Sequence, residues 1–240
     1  VLILTNNQDI HTDLVLREIR RRGVDIVRVH TDEFPEHVVG SYVHNTMQWC
    51  DASGCAFSLE DIGSVWYRRP RPCRAAVTIT DPTNRKFVED ESMHFVENMY
   101  MLLEGAYWVN PYFANIRARY KLLQEHVARQ AGFAMPDTVV TNDPDAARTF
   151  VEKHGGNVVY KCVRSGIVQQ PDGSSELIFT NKLRPDDITA LDSVRYAPCV
   201  FQQHIAKQLE LRVTVVGSRI FSCAIYSQER AETATDWSHG

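Results

Sequence analysis

The chain has 240 residues and a mass of 27.4 kDa, and 44% of its residues are hydrophobic, 23% charged and 10% aromatic. This composition is typical of a folded globular protein and excludes collagen-like and low-complexity chains. No apolar run approaches membrane length, and the net charge of -4 disfavours a nucleic-acid binder, so neither a membrane nor a nucleic acid is expected as a partner. The six cysteines lie far apart, with no CxxC pair and no zinc-binding spacing, which predicts a reduced, cytoplasmic protein.

The first hundred residues predict an open α/β domain. Val1–Thr5 is a short apolar strand, apolar residues recur at helical spacing over 10–23, and Val24–His30 is a second strand. A strand–helix–strand unit of this kind predicts a parallel pair of strands. A further strand is predicted at 64–67, because the prolines that follow it cannot continue a ladder.

Two helices are predicted after these strands. Apolar residues recur at helical spacing over 86–104 and again over 115–131. The second helix is predicted to stop at Gly132, which can adopt a left-handed cap, and Pro136 cannot continue a helix.

The rest of the chain predicts an antiparallel α+β region with one helix near 144–154, and we place the domain boundary near residue 113. Gly217 and Ser218 lie between two alternating runs, which is typical of a tight hairpin. The predicted strands of this region are 138–141, 157–163, 176–180, 199–205, 211–216 and 219–228.

Lys161 is a candidate for chemistry because it lies in the middle of an otherwise apolar strand, 158–163. A buried ammonium needs an anion or water, since burying it without a partner costs on the order of several kcal/mol. A lysine on the wet face of an edge strand is an equally good interpretation of this segment alone. The glycine- and serine-containing loop over 164–175 favours the first interpretation, because free backbone N–H groups can cradle a phosphate.

A set of short motifs follows along the chain: Trp66-Tyr-Arg-Arg-Pro70, Trp108-Val-Asn-Pro111, the helix over 115–121, Pro136-Asp-Thr138 with Thr141-Asn142, the VVYK run over 158–161, the FQQHIAKQLELRVTVVG run over 201–217, and Asp236-Trp237. In this order the motifs resemble those of the microviridin-type graspetide synthetases, a branch of the ATP-grasp ligases, and the resemblance covers essentially all 240 residues. The resemblance implies an ATP-grasp fold with an N-terminal open α/β (pre-ATP-grasp) domain over 1–113, a central antiparallel α+β domain over 114–204, and an incomplete C-terminal ATP-grasp lobe over 205–240.

The resemblance also assigns roles to individual residues. Lys121 and Lys161 would hold the nucleotide phosphates, and Lys161 would share the catalytic role with Arg212, which would stabilise the transferred phosphoryl group. Glu210 would bind ribose, because a carboxylate accepts hydrogen bonds from two hydroxyls. The adenine hinge implied by the resemblance consists of Gln202, Gln203, His204 and Ile205. Each role has a plainer alternative: Lys121 as a solvated helix residue, for example, or Glu210 as half of a surface pair with Lys207 that is worth less than about 1 kcal/mol.

A cluster of four arginines over 68–74 forms a positive patch on an acidic protein. The functional interpretation is that Arg68 and Arg69 attract a carboxylate-rich peptide, and the plainer alternative is a solvated loop. The histidines are scattered, and no Ser/His/Asp arrangement is indicated.

The resemblance implies an enzyme that uses ATP and Mg²⁺ to activate Asp or Glu side chains of a ribosomally made precursor peptide, with a leader and an acidic core, as acyl phosphates. Ser or Thr hydroxyls or Lys amines of the same peptide then form macrocyclic esters or amides. A homodimer is implied as well. Magnesium ligands are expected beyond Gly240, since nothing after Trp237 supplies them, and the chain is therefore expected to be part of a longer protein. The alternatives are an ATP-grasp ligase for a small amino acid or a protein C-terminal glutamate, and a non-catalytic nucleotide- and peptide-binding protein.

Overall fold

The structure is a computed structural model that describes residues 1–6, 8–51, 54, 56–164, 166–169, 175–229 and 235. The chain divides into two compact units, Val1–Arg117 and Ala118–Gly240, and each contains a hydrophobic core of its own. The first unit is organised by a parallel sheet and the second by an antiparallel sheet, which confirms the predicted combination of α/β and α+β architecture.

The first unit is built on a parallel sheet of four strands in the order β2-β1-β6-β7. Its elements in chain order are β1 (Leu2–Thr5), α1 (Ile10–Arg21), β2 (Val27–His30), β3 (Val39–Val43), β4 (Thr46–Cys50), β5 (Ala56–Ser58), β6 (Ser64–Tyr67), α2 (Pro82–Leu102), β7 (Tyr107–Val109) and α3 (Tyr112–Ala118). Because β1 is an inner strand, Leu2, Ile3 and Leu4 are all fully buried, and this explains an apolar run without alternation. The predicted parallel pairing of the first two strands is confirmed, although the second begins at Val27.

The strands β3, β4 and β5 form an antiparallel meander that the sequence analysis did not predict. Its anchor is Trp49, which is 1% exposed and stacks on Phe34 and Phe95 with ring centroids 5.0 and 5.9 Å away. Gly40 lies against these rings, since a Cβ there would come 2.6 Å from Phe95 and 3.0 Å from Trp49. The meander is therefore fixed to α2 by aromatic stacking.

The second unit contains an antiparallel sheet in the order β12-β9-β13-β8 and two separate hairpins. Its elements are α4 (Lys121–Gln130), β8 (Thr138–Thr141), α5 (Pro144–Lys153), β9 (Val158–Cys162), β10 (Ile167–Gln169), β11 (Ser175–Leu177), β12 (Asn181–Lys182), α6 (Pro185–Thr189), β13 (Cys199–Gln203), β14 (Glu210–Val216) and β15 (Arg219–Ile225). The predicted β14–β15 hairpin is confirmed, with Gly217 at a φ of 59° in the tight turn.

One face of the antiparallel sheet packs on α5 and forms the second core. Val158 of β9 and Phe201 of β13 contribute 0% and 2% exposed side chains, and Phe150 and Val151 contribute from the helix. Because side chains alternate along a strand, their neighbours Lys161 and Gln202 point to the opposite face. That face carries the candidate site.

The predicted helix over 115–131 is wrong as a single element, because it is two helices, α3 and α4. Tyr120 leaves the helical region with a φ of -76° and a ψ of 107° and caps α4. The Gln124 side chain donates to the carbonyl of Ala118 at 2.5 Å, which satisfies an acceptor at the end of α3. The predicted stop is confirmed: Gly132 has a φ of 83°, and the N–H groups of Gly132 and Phe133 close a Schellman motif.

Three predicted strands are shorter than expected. The strand predicted over 176–180 ends at Leu177, the one over 199–205 ends at Gln203, and the one over 219–228 ends at Ile225. The early end of β13 leaves 204–209 as an extended connection outside the sheet.

Candidate active site

The face of the antiparallel sheet opposite the α5 core brings together three polar side chains from three neighbouring strands. Gln202 of β13 lies directly opposite Thr138 of β8, and it is the diagonal neighbour of Lys161 on β9. Such neighbours lie on the same face of a sheet and within reach of one another. All three side chains are half-buried, so a ligand on this face can reach them.

Lys161 is held by an uncharged acceptor. Its Nζ donates to Oε1 of Gln202 at 2.8 Å, and Nε2 of Gln202 donates to Oγ1 of Thr138 at 3.0 Å. The Thr138 hydroxyl donates in turn to the carbonyl of Pro136 at 3.1 Å. The ammonium is thus oriented by an amide that carries no charge of its own.

Lys121 reaches the end of the same strand. It is the first residue of α4, and its Nζ donates to the carbonyl oxygen of Cys162. The partner is again uncharged, and the N-terminus of a helix adds a partial positive charge. The structure therefore brings Lys121 to the strand that carries Lys161, and each ammonium donates a hydrogen bond to a neutral oxygen.

The loop after β9 begins at a position that only glycine fits. Gly166 has a φ of 66°, and a Cβ there would collide with the carbonyl oxygen of Ile178. The N–H of Ile178 donates to the carbonyl of Gly166 at 2.8 Å. The remainder of the predicted phosphate loop includes residues 165 and 170–174, which lie outside the described residues.

The predicted adenine hinge follows the end of β13. The N–H of Gln203 donates to Asp137 and that of His204 donates to Asn157, at 2.9 and 3.0 Å. Among the described residues no acceptor is found for the N–H of Ile205, whose side chain is 52% exposed. A free N–H beside an exposed apolar side chain suits the edge and face of a flat base.

The pKa of His204 reflects the positive charge around the hinge. Burial lowers the pKa of its imidazole below the usual 6.5, and the charges of Lys182 and Lys207 lower it further. Lys182 is a residue that the sequence analysis missed. It lies opposite Val159 and hence on the face that carries Lys161, but its strand of two residues has no periodicity that would reveal it.

Glu210 is the first residue of β14, and its two carboxylate oxygens have different surroundings. Its Oε1 pairs with Nζ of Lys207 at 2.9 Å, and the two side chains are only 27% and 20% exposed, so this is no surface pair. Among the described residues, its buried Oε2 has no hydrogen-bond partner. An unpartnered buried carboxylate oxygen is an acceptor for a hydroxyl, as a ribose would require. Arg212, two residues further along β14, is exposed.

The arginine cluster over 68–74 follows β6 at the carboxyl edge of the parallel sheet. β1 pairs with β2 on one side and β6 on the other, so the switch point of the sheet lies between β1 and β6, which is where open α/β sheets bind ligands. The N–H of Arg68 continues the β6 ladder by donating to Leu4 at 2.8 Å. Arg68 and Arg69 thus follow the strand end at this edge.

Two arginines of this cluster already have carboxylate partners. Nε of Arg68 lies 3.1 Å from Oδ2 of Asp9, which is 5% exposed. Burial opposes ionisation of Asp9, but hydrogen bonds from Thr12 and the charge of Arg68 outweigh it and lower the pKa of that carboxyl. Arg71 lies 3.9 Å from Asp32 and donates to Gln8.

Arg69 differs from these neighbours. Its backbone has a φ of 49°, a left-handed conformation uncommon for a side chain of this size, and its carbonyl accepts a hydrogen bond from Asn6 at 2.9 Å. Its side chain is exposed, and within the described residues no acceptor is found for the guanidinium. Among the described residues, Arg69 therefore has no ion-pair partner, in contrast to Arg68 and Arg71.

The described residues contain no group of three or more His, Cys, Asp and Glu side chains that could hold a metal ion. Within the same residues, no helix is long and apolar enough to cross a membrane. Asp236 and Trp237 of the closing motif lie outside the described residues.

The family model of the MvdD pre-ATP grasp domain matches residues 1–117. The crystal structure of macrocyclase MdnC bound with precursor peptide MdnA from Microcystis aeruginosa MRC is 29% identical, with a TM-score of 0.87 over 95% of this chain and 75% of that one. Macrocyclase MdnB from the same organism is 32% identical, with a TM-score of 0.80 and the same coverage. A RiPP-associated ATP-grasp ligase of Chryseobacterium gregarium, in complex with ADP and a leader and core peptide, is 30% identical, with a TM-score of 0.79 over 99% of this chain and 72% of that one. No curated protein matches the sequence.

Proposed function

Since this chain belongs to the ATP-grasp ligases that macrocyclise ribosomally made peptides, the graspetide synthetases, we propose that it uses ATP to join side chains of a precursor peptide with a leader and an acidic core. The observation that carries the nucleotide role is the pair of lysines, Lys121 and Lys161, held at one strand by neutral oxygens. A triphosphate is attracted by positive charge, and these neutral oxygens orient the two ammonium groups without adding a negative charge. At 4 Å and an effective dielectric constant of 20, the attraction between one ammonium and one unit of phosphate charge is about 4 kcal/mol.

The remaining proposed nucleotide contacts involve groups of the second unit for which no partner is found among the described residues, and backbone groups that hold the hinge. The N–H of Ile205 would bind the adenine edge, with Gln203 and His204 holding the hinge through their bonded N–H groups. The free Oε2 of Glu210 would accept from the ribose hydroxyls. Gln202 would act through Lys161, because its amide already contacts that ammonium.

The reaction divides into two steps. A carboxylate oxygen of an Asp or Glu side chain attacks the γ-phosphorus of ATP and releases ADP, which leaves an acyl phosphate. A Ser or Thr hydroxyl or a Lys amine of the same peptide attacks the acyl carbon and releases phosphate, so each bond removes one water from the peptide. Lys161 and Arg212 would stabilise the charge of the transferred phosphoryl group.

Arg69 would capture the acidic core before reaction. Support comes from its exposed, unpaired side chain at the switch point, whereas Arg68 is paired with Asp9 and would chiefly add to the local positive potential. Mg²⁺ would accompany ATP, but the described residues form no metal-binding group, and we assign none of them to it.

We also propose a cytoplasmic homodimer. The support is the family resemblance, together with exposed apolar side chains of the first unit such as Tyr107 and Phe113, 73% and 60% exposed, which line a cavity of about 500 Å³. Light scattering at micromolar concentration would measure twice the monomer mass, and a monomer at all concentrations would refute this part of the proposal.

The direct test is the intact mass of an acidic precursor peptide, encoded beside this protein, after incubation with the protein, ATP and Mg²⁺. We expect the loss of one water per bond formed, and no loss with the Lys161→Ala variant. ADP formation without a mass change would refute the peptide substrate and favour a small-molecule ligase. Neither ADP nor a mass change would refute the enzyme and favour a binding protein.

A further inference from the structure

The hydrogen bonds behind Lys161 run in a single direction. Lys161 Nζ donates to Gln202 Oε1, Gln202 Nε2 donates to Thr138 Oγ1, and the Thr138 hydroxyl donates to the Pro136 carbonyl. A lysine ammonium has only donors and a carbonyl has only acceptors. The two ends of this chain therefore fix the direction of every bond between them.

Thr138 decides which end of the Gln202 amide faces the lysine. Since the only proton of the hydroxyl goes to Pro136, its oxygen can only accept from Gln202. The amide must then turn its NH₂ group to Thr138 and its oxygen to Lys161. The opposite orientation would place two donors, the amide NH₂ and the ammonium, against each other.

We propose that Thr138 is a positioning residue for the nucleotide: through the orientation of the Gln202 amide it holds the Lys161 ammonium in place for a phosphate of ATP. This inference rests on the proposed nucleotide role of Lys161. Thr138 itself needs no contact with ATP. It lies directly opposite Gln202 in the sheet, so its hydroxyl is placed by the strand register and not by a loop.

The Thr138→Val variant removes the hydroxyl and keeps the shape and strand preference of the side chain, so the sheet is expected to form. The amide of Gln202 then loses its fixed orientation. We expect KM for ATP to rise about threefold to tenfold, the effect of one lost hydrogen bond to a charged network, with kcat nearly unchanged. The Thr138→Ser variant keeps the hydroxyl and should restore the KM of the unaltered protein.

A double-mutant cycle separates positioning from a general structural effect. In a Gln202→Met background no amide remains to be oriented, so Thr138→Val should cause no further rise in KM for ATP. An unchanged KM for Thr138→Val alone, a Ser variant as impaired as the Val variant, or fully additive effects in the cycle would each overturn the inference.

The same measurements on Lys161→Ala distinguish this inference from the proposal on which it rests. If Lys161→Ala leaves the binding of ATP unchanged, the nucleotide role of the lysine is wrong, and the inference fails with it. If Lys161→Ala abolishes binding while Thr138→Val binds ATP normally, only the positioning role of Thr138 is wrong.

Discussion

The candidate sites of the two units hold basic side chains with different kinds of partner. At the edge of the parallel sheet, Arg68 is paired with the buried carboxylate of Asp9. On the face of the antiparallel sheet, Lys121 and Lys161 donate to a backbone carbonyl and an amide oxygen. Both arrangements fix a cation in space, but a carboxylate also offsets the charge of its partner, whereas a neutral oxygen does not. The chemistry of the partners, and not only the number of basic residues, therefore bears on where an anion can bind.

The largest expected effect comes from removing one of the two lysines of the proposed phosphate site. Lys161→Ala deletes a positive charge, and we expect the affinity for ATP to fall roughly 100-fold, about 3 kcal/mol. Calorimetric titration with a non-hydrolysable ATP analogue measures this directly. As a control, Lys86→Ala removes a lysine that is paired with Asp90 on the surface of α2, and it should bind the analogue normally.

A smaller effect is expected at the parallel sheet, where no acceptor is found for the Arg69 guanidinium among the described residues. Arg69→Ala should raise KM for the precursor peptide roughly threefold to tenfold at low salt, with less effect at high salt, and should leave KM for ATP unchanged. Arg17→Ala, which removes an exposed arginine of α1, is the matched control for net charge. Equal KM values for the two variants at low salt would remove Arg69 from the substrate site.

The smallest effect is a dependence of stability on pH. Burial, followed by the charges of Lys182 and Lys207, lowers the pKa of His204 below 6.5, so the folded protein favours the neutral imidazole. The stability that this contributes is present above pH 6.5 and is lost as the pH falls towards the folded pKa, because the unfolded chain binds the proton more readily. Urea unfolding at pH 7.5 and 5.5 should show a smaller acid-induced loss for His204→Gln than for the unaltered protein. Parallel losses would show that the lysines around His204 do not act on it.

Much of the fold could be predicted because the relevant signals are local. The apolar run of β1, the spacing of α2 and the glycine of the β14–β15 turn each act within a few residues of chain. The meander over 39–58 could not be predicted in this way, because it depends on the stacking of Trp49 with Phe34 and Phe95, which are distant in sequence. The break between α3 and α4 at Tyr120 was also missed, because neither a glycine nor a proline marks it in the sequence.

Lys121 and Lys161 of the candidate site could be predicted from the sequence, but the groups that they contact could not. An isolated lysine in an apolar strand stands out in the sequence, as Lys161 does. The strand register places Thr138 opposite Gln202, and the ion pair with Asp9 distinguishes Arg68 from Arg69. Both features depend on tertiary structure. The resemblance named Gln202 as part of a hinge, whereas the structure adds the contact of its side chain with Lys161. The roles of these residues in catalysis stay predictions.

The measurement that tests the central claim most directly is the affinity of the Gln202→Glu variant for a non-hydrolysable ATP analogue, compared with that of Gln202→Met. The glutamate keeps an oxygen next to Lys161 but adds a negative charge there. We expect it to cost at least tenfold in affinity, about 1.4 kcal/mol, and more than the methionine, which removes the oxygen and leaves the charge of the lysine intact. A glutamate variant that binds the analogue as tightly as the unaltered protein would contradict the claim that the positive charge of Lys161 binds the nucleotide.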